Sequence, residues 1–210
     1  RKPLPFTAMG RGVAGRKFLI EWFTKETLKR RAEGGGQDMF SQFATAEHED
    51  GSLMPVDQVV DHMIFLMMAA HDTITSSATS LVWLLAKHPE WQDRLRAEAL
   101  AVTGGADRPL SYDDMGKLEL TEMAFKEALR LIPPVPSIPR RALREFSFGG
   151  YRIPAGTGVG ISPSAVHMDP EHWPDPDRFD PLRFTPEQTA KRHKYAWVPF
   201  GGGAHMCLGL

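Results

Sequence analysis

Residues 200–209 read Phe200-Gly201-Gly202-Gly203-Ala204-His205-Met206-Cys207-Leu208-Gly209. Three consecutive glycines let the backbone lie close to something flat and large, because no Cβ projects from it and left-handed dihedral angles are open to it. The run leads into Cys207, the single cysteine of the chain. Backbone N–H groups of such a loop can point at the sulfur and tune the electron density that a thiolate gives a metal. His205 can donate to an anionic group on the same ligand. Taken by itself, the loop is read equally well as a buried free cysteine after a glycine turn.

The totals narrow the surroundings of this loop. A chain of 210 residues is long enough for one sizeable core, so one domain or a piece of one is expected. Twenty-five basic residues against 26 acidic ones leave no electrostatic footprint for nucleic acid or a membrane surface. One cysteine excludes an intrachain disulfide framework and fits a reducing, cytoplasmic setting. The chain begins at Arg1 and stops just past Cys207, inside an apparent motif, so a truncated sequence is expected.

Upstream, apolar residues fall at helical spacing from about Val13 to Glu33, where Gly34-Gly35-Gly36 ends the pattern. A shorter helix is expected after Asp38. From Pro55 to about Lys87 no breaker occurs, which at 1.5 Å per residue gives a helix of roughly 50 Å. Its first half is apolar nearly all round, but Asp61 and His62 lie inside it, so a buried central helix is expected in place of a membrane span. Pro89 restarts a helix to about Val102, and Ser111 caps a further helical region lasting to Pro133-Pro134. Thereafter strand-like pieces alternate with turns, in ALREFSF, YRIP and AGTGVGIS. Between Asp169 and Phe184 prolines interleave with Trp173 and Phe179, the texture of an extended, irregular segment.

The pattern F-x-x-G-x-x-x-C-x-G at Phe200–Gly209 resembles the haem-binding loop of the cytochrome P450 family. Further resemblances follow in order: Lys126-Glu127-Ala128-Leu129-Arg130 is similar to the family's E-x-x-R pair, Pro181-Leu182-Arg183-Phe184 to its P-x-R-F element, and Ala69-Ala70-His71-Asp72-Thr73 to its small-small-x-acid-Thr segment. The resemblance runs from about Lys17 to Leu210. It implies a mainly α fold with a small β-rich part, incomplete at both ends: a helical part over 1–135 with a central helix at about 55–87, a β-rich segment and proline-rich meander over 136–184, and the cysteine loop over 185–210. It implies haem b ligated by Cys207 and contacted by Phe200, Gly201, Gly203, Gly209, Ala69 and Ala70. His205 and Arg140 would reach its propionates, with Arg141 competing for that role. The activity implied is insertion of one oxygen atom from O2 into an apolar organic substrate. Electrons would come from a ferredoxin-type or flavoprotein donor, since no flavin or nicotinamide fingerprint is read in the chain. Ala70 stands where the family often has glycine, and His205 where it often has arginine.

Physical chemistry supports distinct roles for these residues. An exposed Glu127–Arg130 pair at i,i+3 would contribute only about 0.2–0.5 kcal/mol, whereas a buried one needs bidentate partners, and Arg183 would lock the meander onto it. Thr73 can bond back to the Ala69 carbonyl, loosening the helix over a pocket that Ala69 and Ala70 leave free. Asp72 is then a proton source beside an alcohol. The plainer reading of this segment is a polar kink in a core helix. Two rivals to the enzyme stand: a non-catalytic haem-binding fragment, and a Cys207–His205 hydrolase, which lacks an orienting third group. His48, His62, His88, His167, His172 and His193 show no metal-ligand spacing and read as surface or core residues, while His71, beside Asp72, is open to facing a substrate pocket or pointing away from it.

Overall fold

Thr7 sets where the first helix begins: its Oγ1 accepts the Gly10 N–H at 3.0 Å and satisfies a donor of the first turn. Helix α1 (Ala8–Ala32) therefore starts upstream of Val13, and it ends where Gly34 and Gly35 enter left-handed backbone. The computed structural model describes residues 4–209, which form two compact units dividing between Asp72 and Thr73.

In the first unit Asp38 caps the short helix α2 (Met39–Ala44) by accepting the Ser41 N–H at 3.0 Å. Helices α1 and α2 share a core with the opening turns of α3 (Val56–Lys87), built from Phe23, Phe40, Val59 and Val60. The Phe23 and Phe40 rings meet edge to face at 5.3 Å. Arg31 fastens the end of α1 by donating to the carbonyls of Ala44 and Met54.

The expectation of a buried central helix is corrected by the exposure of α3. Phe65, Met67 and Met68 in the first unit, and Ile74, Val82 and Trp83 in the second, are exposed. A helix apolar on every side needs cover on every side. The described residues supply it around Val59 and Val60 at one end and around Leu84 at the other. Among the described residues no helix is long and apolar enough to cross a membrane.

In the second unit α4 (Pro89–Thr103) opens on its proline and closes at Gly104, φ 72°. Ser111 begins two pieces where the sequence suggests one: a 3-10 turn over Tyr112–Lys117, then α5 (Glu119–Leu131), separated at Leu118. Helix α5 has no capping side chain of its own, and Glu98 of α4 substitutes for it. One Glu98 oxygen accepts the Leu120 N–H at 2.6 Å, and the other accepts the Thr121 N–H at 3.0 Å and its hydroxyl at 2.8 Å. An anion thus sits on the positive end of α5, where orphan N–H groups require it. Leu84, Trp91, Ala124, Ala128 and Phe179 form the core between these elements.

Strand β1 (Ile138–Arg141) pairs antiparallel with β4 (Gly158–Ile161), Arg140 opposite Val159. Between them β2 (Phe146–Phe148) and β3 (Tyr151–Ile153) form a hairpin whose turn uses Gly149 and Gly150 at φ 57° and 81°. Arg140 therefore lies within a strand and not ahead of the first one. Pro139 hides β1 from the alternation pattern, yet every strand of a two-stranded sheet is an edge and tolerates proline. Short helices α6 (Pro163–His167) and α7 (Pro186–Ala190) also interrupt the extended chain.

Glu127 and Arg130 are both fully buried, at 0% exposure. The guanidinium clasps the carboxylate twice, Nε to Oε2 at 2.6 Å and Nη2 to Oε1 at 2.8 Å. Oε1 also accepts the Asp180 N–H at 2.9 Å, and Arg183 Nε stands 3.4 Å away. Burial pushes the Glu127 carboxyl up from the ordinary range, while Arg130, the Asp180 N–H and Arg183 pull it back toward the charged form. Arg192 adds a third guanidinium to the cluster. Carbonyls and a ring take up the surplus positive charge. Arg130 donates to His167 O (2.8 Å) and Arg178 O (3.2 Å), Arg183 to Pro174 O (2.5 Å) and Asp175 O (2.8 Å), and Arg192 to Arg183 O. The buried Trp173 ring lies 5.1 Å from the Arg130 guanidinium and 4.0 Å from that of Arg192.

Glu127→Gln removes the carboxylate these arginines share, and breaking a buried pair from one side costs about 3–5 kcal/mol. The urea unfolding midpoint of the full chain should fall accordingly, or folded protein should fail to accumulate. A stability within about 1 kcal/mol of the parent would show that the cluster does not hold the meander on α5.

Candidate functional site

The segment that carries the cysteine is anchored before its glycines shape it. Trp173 Nε1 donates to the Ala196 carbonyl at 3.2 Å, and Trp197 Nε1 donates to the Lys126 carbonyl of α5 at 3.3 Å. From there the chain folds back on itself, the Cys207 N–H donating to the Phe200 carbonyl at 3.0 Å. Gly201 and Gly203 hold φ 73° and 75°, angles that a side chain would strain. Gly202 serves a different need. Its backbone is extended, but a Cβ there would come within 3.2 Å of the Tyr195 ring.

The Cys207 side chain is exposed, and its Sγ accepts the Gly209 N–H at 3.3 Å. A donor therefore sits where negative charge on sulfur would collect. Nearby, the Trp197 and Phe200 rings meet edge to face at 5.8 Å, bordering a cavity of about 290 Å³ that Tyr195, Pro199 and Met206 also line. An open sulfur, main chain bare of side chains and an apolar border fit a flat organic group that brings its own metal. Among the described residues no group of three His, Cys, Asp or Glu is arranged to hold a metal ion.

His205 ends a 3-10 turn over Gly203–His205 and is exposed. Strand β1 reaches the loop through Ile138, whose Cδ1 lies 3.5 Å from where a Gly201 Cβ would stand. Side chains two apart on a strand share a face, so Arg140 points to the side of Ile138 and Arg141 to the other. Arg140 is exposed and donates to the Pro139 carbonyl at 2.9 Å.

Ala69, Ala70 and Asp72 close the first unit and Thr73 opens the second, all within α3. The helix stays α-helical through them, and Ser77 Oγ donates to the Thr73 carbonyl at 2.7 Å. His71 Nδ1 lies 3.0 Å from Asp72 Oδ1, both side chains being exposed. Glu127, Arg130 and Arg183 stand together in the buried cluster.

Sequence alone leaves His167 as either a surface or a core residue, and the structure puts it in the core. It is fully buried and touches both Arg130 and Val198. No spacing marks it, and its only signal is the apolar company of Ala165, Val166 and Met168 ahead of the prolines.

Residues 15–210 match the family model described as Cytochrome P450. The chain is 43% identical, over 98% of its length, to Putative cytochrome P450 136 of Mycobacterium tuberculosis, of which it covers 41%. The fold matches retinoic acid bound cyanobacterial CYP120A1 with a TM-score of 0.89 and 31% identity, covering 99% of this chain and 48% of that one. It matches the cytochrome P450DA heme domain with a TM-score of 0.83 and 28% identity, covering 90% of this chain and 42% of the other. The chain thus spans less than half the length of these relatives. The chain belongs to the cytochrome P450 family.

Proposed function

We propose that Cys207 ligates the iron of haem b and that the protein inserts one oxygen atom from O2 into an apolar organic substrate. Membership of the family implies a haem. The observation that carries the reading on this chain is the exposed Cys207 sulfur, with the Gly209 N–H on it, at the end of a loop whose main chain is bare. When bound, the haem supplies oxygen activation, driven by the electron density that a thiolate ligand gives it.

The chain's own groups divide the remaining work. Gly201 and Gly203 let the backbone approach the cofactor face, with Phe200 and Gly209 framing the loop. Arg140 is favoured over Arg141 as a propionate donor because it shares a face of β1 with Ile138, which abuts the loop. His205 offers a second donor. Ala69 and Ala70 leave room beside α3. Asp72 and Thr73, adjacent in sequence on α3, offer a carboxyl and a hydroxyl, a pair of groups suited to relaying protons.

Electrons are assigned to a separate ferredoxin-type or flavoprotein donor. Gly10, Gly12 and Gly15 have the spacing of a dinucleotide-binding turn, but all three lie within helix α1 and not in the strand-to-helix turn that such a site requires. The single cysteine fits a reducing, cytoplasmic setting.

The reduced, carbon-monoxide-bound protein should show the strongly red-shifted band of a thiolate ligand, and Cys207→Ser should abolish it without moving the unfolding midpoint of the haem-free protein, which the Glu127 cluster sets. A band that survives the substitution would remove Cys207 as the ligand; a thiolate band without turnover would favour the non-catalytic haem binder. Thr73→Ala should keep haem content while reducing equivalents drain to hydrogen peroxide in place of product. Unchanged coupling of electrons to product would take proton delivery away from Thr73.

A further inference from the structure

His167 is a buried titratable group with no part in the chemistry proposed above, and its ring is fixed by two directed bonds. It ends α6 at 0% exposure. Its Nδ1 lies 3.2 Å from the Arg130 carbonyl, which can only accept, so Nδ1 carries the proton. The Val198 N–H, which can only donate, meets Nε2 at 2.8 Å, so Nε2 is bare. A single tautomer satisfies both partners. His167 also accepts from Arg130 Nη1 through its own carbonyl at 2.8 Å. Val198 in turn accepts the Gly201 N–H at 3.1 Å, so it is where the chain turns into the cysteine loop.

We infer that His167 is a positioning residue for the cysteine loop: its ring joins the last turn of α5 to Val198 and so fixes the point from which Cys207 is presented. The inference rests on reading Cys207 as the haem ligand. The neighbouring anchors, Trp173 to Ala196 and Trp197 to Lys126, each use one indole donor. His167 joins two main-chain groups of opposite kind, which neither an apolar side chain nor a cation can do. A second proton would set N–H against N–H at Val198. Arg130, whose charge is shared with Glu127, is the charged group of α5 that acts on the ring; around Val198 the adjacent side chains are Trp197 and Pro199. Burial, aided by the Arg130 charge and opposed by the bond to the Arg130 carbonyl, pushes the imidazole down to about 4. An unfolded histidine takes its proton near 6.5, so the contribution of this clamp is whole above that pH and drains away as pH falls toward 4.

The test compares His167→Gln, whose amide offers one donor and one acceptor, with His167→Leu, which offers neither, in the full chain with and without haem. In the leucine variant the amides of Val198–Cys207 should exchange hydrogen about tenfold faster than in the parent while those of α5 keep their rates. Part of its carbon-monoxide complex should move from the thiolate band to shorter wavelength, and the glutamine variant should restore most of both. In the parent, acidification from about pH 7 to about pH 4 should lower protection at Val198 before α5 responds. Equal protection at Val198 in all three proteins overturns the inference. So does uniform loosening of α5 and the loop with glutamine no better than leucine, the result of mere core filling. Should the leucine variant not fold, the glutamine variant and the pH series on the parent still decide. A parent without a thiolate band, but with the exchange differences intact, would overturn the Cys207 reading and leave the His167 clamp standing.

Discussion

A carboxylate taken out of water must be given donors, and most of the second unit is arranged to give them to Glu127. Arg130 comes from the same helix, the Asp180 N–H and Arg183 from the meander. Each donor then has needs of its own: the guanidiniums of Arg130 and Arg183 turn their remaining N–H groups on the carbonyls of His167, Arg178, Pro174 and Asp175. One desolvated charge thus fixes the path of a long irregular segment that has little regular hydrogen bonding. Asp175, held at φ 49°, marks a place where the backbone bends to meet these donors.

The buried frame and the exposed chemistry are separate in kind. Glu127, Arg130, His167 and Trp173 are all at 0% exposure, whereas Cys207, His205, Arg140 and Asp72 are open. Groups meant to meet a ligand need free valences; groups meant to hold them need none left over. The link from the buried frame to the cysteine loop is short: the side chains of His167, Trp173 and Trp197 bond main-chain atoms at Arg130, Val198, Ala196 and Lys126.

What the sequence disclosed follows from how local each signal is. Helices α2 and α4 are legible because Asp38, Pro89 and Gly104 mark their ends in place. The Glu127–Arg130 spacing and the glycine run before Cys207 are legible for the same reason. Strand β1 is not, since Pro139 and two arginines carry no alternation. The helical character of α3 is plain in its composition, but its exposure is not, because hydropathy says what a face would bury and not whether a partner is there. His167 is invisible in sequence because its partners are backbone groups 37 and 31 residues away, and backbone groups leave no residue pattern.

The clamp of Glu98 on α5 closes over 22–23 residues, while the bonds that fasten the meander and cysteine loop to α5 span 37, 53 and 71 residues. Closing longer loops costs more chain entropy, so the α4–α5 pair is the cheaper structure to assemble and the loop bearing Cys207 the dearer one. Until the meander arrives, Glu127 and Arg130 keep their water, and nothing local drives them to shed it. The order of assembly that follows puts the cysteine loop last, presented only on a helix pair and meander that are already dry.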